Sequence, residues 1–225
     1  MKIQNKQIQR IPSFILIVGI LACLGIGFLA YGIFAHKSAV TQPIASGEGS
    51  SNADVVKEGS DETAVPVEAI KTYTVPADEP RVLRIDSLSL NAKVRPMAIN
   101  SVGAIQAPVN IYDGGWYSGS SKPGTPGAVF IDGHASGATR KGLFAYIDTL
   151  KNGTTISLER GDGQLFNYKV VHVETLPKES VDMYKVLHTY GDVDEGLNLM
   201  TCTGTWLPNE KTYDKRAIVY AERVS

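Results

Sequence analysis

Thr154-Thr155-Ile156-Ser157-Leu158-Glu159, then Arg160-Gly161-Asp162-Gly163, then Gln164-Leu165-Phe166-Asn167-Tyr168-Lys169-Val170-Val171-His172-Val173-Glu174 is the stretch on which the fold turns. Two runs rich in Thr, Ile, Val and Tyr flank a short Gly-Asp-Gly segment, and the second run alternates polar with apolar residues. Alternation of period two marks a half-buried strand, and Asp-Gly tolerates the positive φ that a tight hairpin turn requires. The stretch therefore reads as a β-hairpin. The same signature recurs on both sides of it, in Val82–Asp86, Lys93–Met97, Ala128–Asp132, Leu197–Thr201 and Ala217–Val224. Each is short and bounded by Gly, Pro, Asn or Asp. Only Lys141–Leu150 and Ser180–His188 carry a pattern for helical turns. Residues 81–225 thus predict one mainly β domain, a barrel or a sandwich.

The residues before this domain divide into three. Residues 1–10 carry Lys2, Lys6 and Arg10 and no acid, and 11–35 hold no charge at all. Within that run Phe14–Phe34 is long enough to cross a bilayer core, which takes about 20 helical residues. It exceeds the apolar region of a cleaved signal, and Ala35-His36-Lys37 is a poor cleavage site. The expectation is a single-pass signal anchor over 11–37. Its basic flank places residues 1–10 in the cytoplasm and the large domain outside the cell membrane. Residues 38–80 hold two lysines against eight acidic residues, with few aromatics, and read as a disordered acidic stalk. The domain itself is nearly balanced, with 16 basic and 15 acidic residues, which argues against nucleic-acid binding.

The chain has two cysteines. Cys23 lies within the apolar run, which continues for eleven residues beyond it, so it reads as membrane filler rather than a lipid-attachment site. Cys202 is then alone outside, where cysteines commonly pair as disulfides. It ends an apolar strand, Leu197-Asn198-Leu199-Met200-Thr201-Cys202, and a nucleophile at a strand end is held rigidly yet can face a cleft. If this strand pairs antiparallel with the next, Cys202 and Arg216 share one rim under the loop Thr203–Lys215. A guanidinium there favours a thiolate and a developing oxyanion. Arg223, further along, reads as a surface charge. Of the four histidines, His36 sits at the membrane edge, His172 inside a strand and His188 in a variable-looking segment. His134 follows the strand Ala128–Ile131 in Asp132-Gly133-His134-Ala135-Ser136, flanked by small residues that leave room for a substrate.

Cys202 in Leu-x-Thr-Cys, His134 in Gly-His, and Arg216 at the start of the next strand together resemble the sortases. The resemblance runs from Arg81 to Ser225. It includes Leu83–Leu90, Gly115-Trp116-Tyr117, Pro123-Gly124, Gly127–His134, Gly142-Leu143-Phe144 and Arg216–Ala221. One departure is Asn198, where these enzymes often have Thr. The wording Leu-Met-Thr-Cys-Thr-Gly looks more like the class D, E and F groups than class A. The resemblance implies a closed eight-stranded barrel and a cysteine transpeptidase. Cys202 would be the nucleophile, His134 the acid–base, and Arg216 the oxyanion group, supported by the Thr201 hydroxyl or a backbone N–H. Partners would be secreted proteins with a C-terminal sorting signal and an amine acceptor in the cell wall or a pilin, with hydrolysis as a side activity. No metal and no cofactor is called for. A Gram-positive-type bacterium fits, and the segment Thr175–Asp194 would line the substrate groove. Two rivals are another exported cysteine peptidase and a non-catalytic tethered β-sandwich adhesin.

Overall fold

The computed structural model describes residues 60–101 and 103–224. The expected cytoplasmic segment, anchor and first half of the stalk lie outside the described residues. Among the described residues no helix is long and apolar enough to cross a membrane.

Eight strands form a closed barrel: β1 (Pro80–Ile85), β2 (Leu90–Met97), β3 (Gly114–Tyr117), β4 (Gly127–Asp132), β5 (Thr155–Arg160), β6 (Leu165–Pro177), β7 (Glu195–Leu207) and β8 (Thr212–Val224). Around the barrel their order is β1-β2-β3-β4-β7-β8-β6-β5. Closure removes the free edges that an open sheet would expose. The hairpin read from sequence is present: β5 and β6 pair antiparallel, Arg160 N–H donates to the Gln164 carbonyl at 2.9 Å, and Gly163 takes φ +86° at the turn. β2–β3 and β4–β7 are parallel, and the other pairs are antiparallel.

Inward residues of alternate positions, among them Leu83, Val94, Trp116, Ile131, Leu158, Tyr168, Leu199 and Val219, fill the barrel. A second apolar cluster of Phe130, Val186, Ile218 and Tyr220 lies on the outer face of β4 and β8. It is covered by α2 (Met183–Val186). Strands β7 and β8 are therefore buried on both faces near their centres, which explains the near-continuous apolar runs of Leu197–Met200 and Ala217–Ala221.

The stalk expectation fails for its second half. Residues 60–80 are held on the barrel: Asp61 bridges to Asn110, α1 (Val67–Lys71) buries Ile70, and the Tyr73 hydroxyl donates to the Val94 carbonyl at 3.0 Å. Composition rightly denies this segment a core of its own, but it borrows the barrel's surface instead. Two further differences concern length. β7 and β8 run on past Cys202 and begin before Arg216, so the expected loop Thr203–Lys215 is mostly hairpin around the turn at residues 208–211. The helical pattern at Lys141–Leu150 yields only a short turn, Ile147–Thr149.

Candidate active site

Two strand pairings bring the predicted residues together. β7 and β8 pair with Cys202 opposite Arg216. β4 and β7 run parallel with Asp132 opposite Met200, and the ladder continues in a bond from Gly133 N–H to the Met200 carbonyl at 3.1 Å. Two residues beyond that pair in each strand stand His134 and Cys202. Parallel register thus sends both out of the barrel at the same end. Both line one cavity of about 610 Å3, walled by residues 133–138, Trp206 and Lys211–Tyr213.

The histidine is oriented by a backbone group. His134 Nε2 lies 2.7 Å from the Pro108 carbonyl oxygen. A carbonyl only accepts, so Nε2 carries a proton, and in the neutral ring Nδ1 is left with its lone pair. Pro108 itself packs where Gly115 has no side chain: a Cβ there would meet Pro108 Cδ at 3.0 Å and Met97 Cγ at 2.8 Å. Just beyond Pro108, Val109 and Ile111 exchange backbone bonds with Asp61 at 2.8 and 2.9 Å. The end of the expected stalk is therefore part of the frame behind His134. Its first described residue, Ser60, lines the cavity.

Cys202 is partly buried. Burial pushes its thiol up, Arg216 pulls it down, and Asp132 adds a further push up. The Thr212 hydroxyl and the Tyr213 N–H pull it down as hydrogen-bond donors. Thr212 also accepts from Arg216 Nη2 at 3.1 Å, so a relay runs from guanidinium through hydroxyl to sulfur. Arg216 Nη1 donates to the Tyr213 and Lys215 carbonyls, each at 2.9 Å. The guanidinium has five N–H donors, and these bonds use three of them; Arg216 itself does not line the cavity.

Thr201 is not placed as the resemblance implies for an oxyanion donor. Strand alternation turns it away from Cys202, and its buried hydroxyl donates to the Gly133 carbonyl at 2.8 Å. It ties the His134 segment to β7. Arg223 binds the Asn167 carbonyl and lies 5.2 Å from the Phe166 ring centre, far along β8 from the site. His172 stacks on Tyr190 with ring centres 4.9 Å apart, and His188 stacks on Tyr184; neither lines the Cys202 cavity.

The Sortase domain family model matches residues 83–224, well over half the chain. The chain belongs to the sortase family. No curated protein matches its sequence. Among solved structures it is similar to sortase A from Corynebacterium diphtheriae, at 21% identity over 64% of this chain and 60% of that chain, with a TM-score of 0.50. It is also similar to sortase C-1 from Actinomyces oris (21%, 64% and 73%, 0.48) and to Clostridium perfringens sortase D5 (19%, 72% and 90%, 0.48). At 21% identity the likeness to sortase A shows the fold alone, the closed barrel.

A second cavity of this sortase, about 350 Å3, opens on the same face of β4 and β7, further back along the strands, and shares Asp132 with the first. Phe130 and Met200 floor it, Ile99 and Ile105 wall one side, and Met183 and Leu187 the other. The last two come from the segment Thr175–Asp194. Asn198 explains its own departure from Thr: its buried Nδ2 donates to the carbonyls of Val186 at 2.8 Å and His188 at 2.7 Å, pinning the exit of α2. Sequence reasoning missed Thr212, the Tyr213 N–H, Pro108 and Asp132. Asp132 carried a signal, two residues before His134 on the cleft-facing side of β4. Thr212 and Pro108 carried none, because their roles depend on the hairpin's length and on a contact distant in sequence.

Proposed function

We propose that this sortase is a membrane-anchored transpeptidase of the cell surface, cleaving a sorting signal near the C-terminus of secreted proteins and passing the acyl group to an amine. The observation that carries the reading is the shared cavity of Cys202 and His134, with Arg216 paired opposite Cys202 on β8. The Cys202 thiolate attacks a backbone carbonyl, and the peptide's acyl part lies in the apolar cavity over Phe130 and Met200. Charge on the tetrahedral oxygen is met by Arg216 and the hairpin that Arg216 holds in place. Protonated His134 gives its Nδ1 proton to the leaving amine, leaving a Cys202 thioester and a neutral ring. An incoming amine from a cell-wall peptide or a pilin lysine then forms the new N–C bond as the C–S bond breaks, with Nδ1 taking a proton from it. Water in its place gives hydrolysis.

The raised thiol fits such a division. Cys202 is mostly a neutral thiol near neutrality, so a productive encounter uses the minority thiolate while His134 is protonated. Anchoring by the apolar stretch at 14–34 would confine enzyme and substrate to one surface and raise their effective concentration. An adhesin would have no use for this arrangement. The test is covalent trapping: the full-length protein is treated with a peptide library carrying a C-terminal vinyl sulfone, and adducts are mapped by mass spectrometry. Adducts on Cys202 that vanish in Cys202→Ala, together with loss of amide product in that variant, are expected. Full activity of Cys202→Ala would sink the reading.

A further inference from the structure

Asp132 lies where the two cavities meet and lines both of them. It is the only carboxylate among the described residues lining either cavity. Among the described residues its oxygens receive no donor except a share of the Gly133 N–H, which also bonds the Met200 carbonyl. Arg216 acts on it through space without a hydrogen bond, and Lys211 is the only lysine or arginine among the described residues that line the larger cavity. Half-buried and under-coordinated, the carboxyl is raised by burial to about 7, against the pull of Gly133 and Arg216.

Asp132 works against the first half of the reaction. Its charge raises the Cys202 thiol and would oppose a tetrahedral oxyanion formed beside it. A negative group at that place serves a partner that arrives with positive charge. The second substrate of transpeptidation is such a partner, because an aliphatic amine reaches the site as an ammonium, and water does not. We infer that Asp132 selects the acceptor: its carboxylate receives the incoming ammonium beside the Cys202 thioester and takes the proton the nitrogen must lose before it attacks.

The step balances. R–NH3+ and the Asp132 carboxylate give R–NH2 and the carboxylic acid, which removes two charges from a partly dry site. The nitrogen lone pair forms the N–C bond as the C–S bond breaks. The second nitrogen proton passes through His134 to the Cys202 sulfur, and Asp132 returns its proton to water. Pairing also cancels the carboxylate's repulsion of the oxyanion, so an amine meets a lower barrier than water does. This inference rests on the transpeptidase reading.

The test starts from an acyl-enzyme made independently of any sorting signal. Full-length protein in detergent is acylated with N-acetylalanine phenyl thioester, and peptide mapping confirms the label on Cys202 rather than Cys23. The thioester is partitioned between water and n-butylamine, an ammonium at neutral pH, and in parallel between water and hydroxylamine, which is neutral there. In Asp132→Asn the butylamine-to-water product ratio should fall roughly 10- to 100-fold, the effect of losing one charge-assisted contact. The hydroxylamine-to-water ratio should change by less than about threefold, since no ammonium has to be held. A ratio that is unchanged for both amines, or that falls equally for both, overturns the inference. If wild type acylated on Cys202 forms no amide with either amine, the transpeptidase reading itself fails.

Discussion

Cys202 and Arg216 stand on a continuous ladder of two long strands, whereas His134 stands two residues past the end of β4 and is oriented from outside the sheet. On the first side, Cα partners run from Gly196–Glu222 to Leu207–Thr212, with one register shift between Thr203 and Trp206. Gly204 makes that shift, at φ +90°, where a Cβ would strike Asp214 Oδ1 at 2.1 Å. On the second side, the ring depends on one carbonyl, Pro108, which depends on Gly115 and on a bridge from Asp61. A ladder fixes position by many parallel bonds, so single losses are absorbed. A chain of supports fixes it in series, so a loss anywhere reaches the ring. Damage on the ladder side should therefore need a residue that itself acts at the site. Damage on the histidine side should spread from residues that never touch substrate.

The largest effect outside Cys202 belongs to Arg216. Arg216→Lys keeps the charge but loses the planar fork that holds the Tyr213 and Lys215 carbonyls and Thr212 together. Single-turnover acylation should fall on the order of a few hundredfold, as for loss of one oxyanion donor. Thiol alkylation by a small reagent should change far less. If Arg216→Lys acylates like wild type, Arg216 supplies only charge and the hairpin does not need its bonds.

Asn110→Ala tests the histidine side. Asn110 Nδ2 donates to Asp61 Oδ2 and to the Thr63 carbonyl, both at 2.9 Å, and Oδ1 accepts from Tyr112 N–H at 2.9 Å. Its loss removes the side-chain ties to Asp61 and Thr63, leaves the Asp61 backbone bonds in place, and should loosen the segment that carries Pro108. Acylation should fall about tenfold through misplacement of the ring, with stability down by about 1–2 kcal/mol. Alkylation of Cys202 should be unchanged, which separates this effect from general unfolding. Unchanged acylation would mean that Gly115 and the Asp61 backbone bonds suffice to hold Pro108.

This difference also marks what the sequence revealed. Alternation in Gln164–Glu174, and the apolar runs ending at Asp132 and Cys202, set strand existence and the Cys202–Arg216 pairing, because those signals are local and repeated. β3 escaped because Gly114-Gly115-Trp116-Tyr117 is only four residues with two glycines, Gly114 kept small by the approach of Ile131 and Gly115 by that of Met97 and Pro108. The packing of residues 60–80 escaped because composition measures whether a segment can fold alone, not whether it can lean on a neighbour. Thr201 was misassigned to the cleft for a related reason: a motif places a residue beside the nucleophile in sequence, while the pleat turns its side chain the other way.

Asp132 ends β4, two residues before His134, and a third measurement tests whether it is retained for function at the expense of stability. An unfolded Asp loses its proton near 3.8, while the folded Asp132 holds it up to about 7. Between those values the folded chain binds more protons than the unfolded one, so its stability falls as pH rises through that window. Asp132→Asn resembles the protonated form in shape and cannot ionise. Wild type and Asp132→Asn should therefore melt together at about pH 4, and the variant should melt higher from about pH 7 upward. The gap should be on the order of 1–3 kcal/mol, a few degrees for a chain of this size. Thermal melts of both full-length proteins across the pH range check this, and their difference removes the titration of every other group. Should wild type instead gain on the variant as pH rises, the attraction of Arg216 outweighs burial. Asp132 would then be a structural counter-ion rather than a charge kept waiting for a cationic substrate.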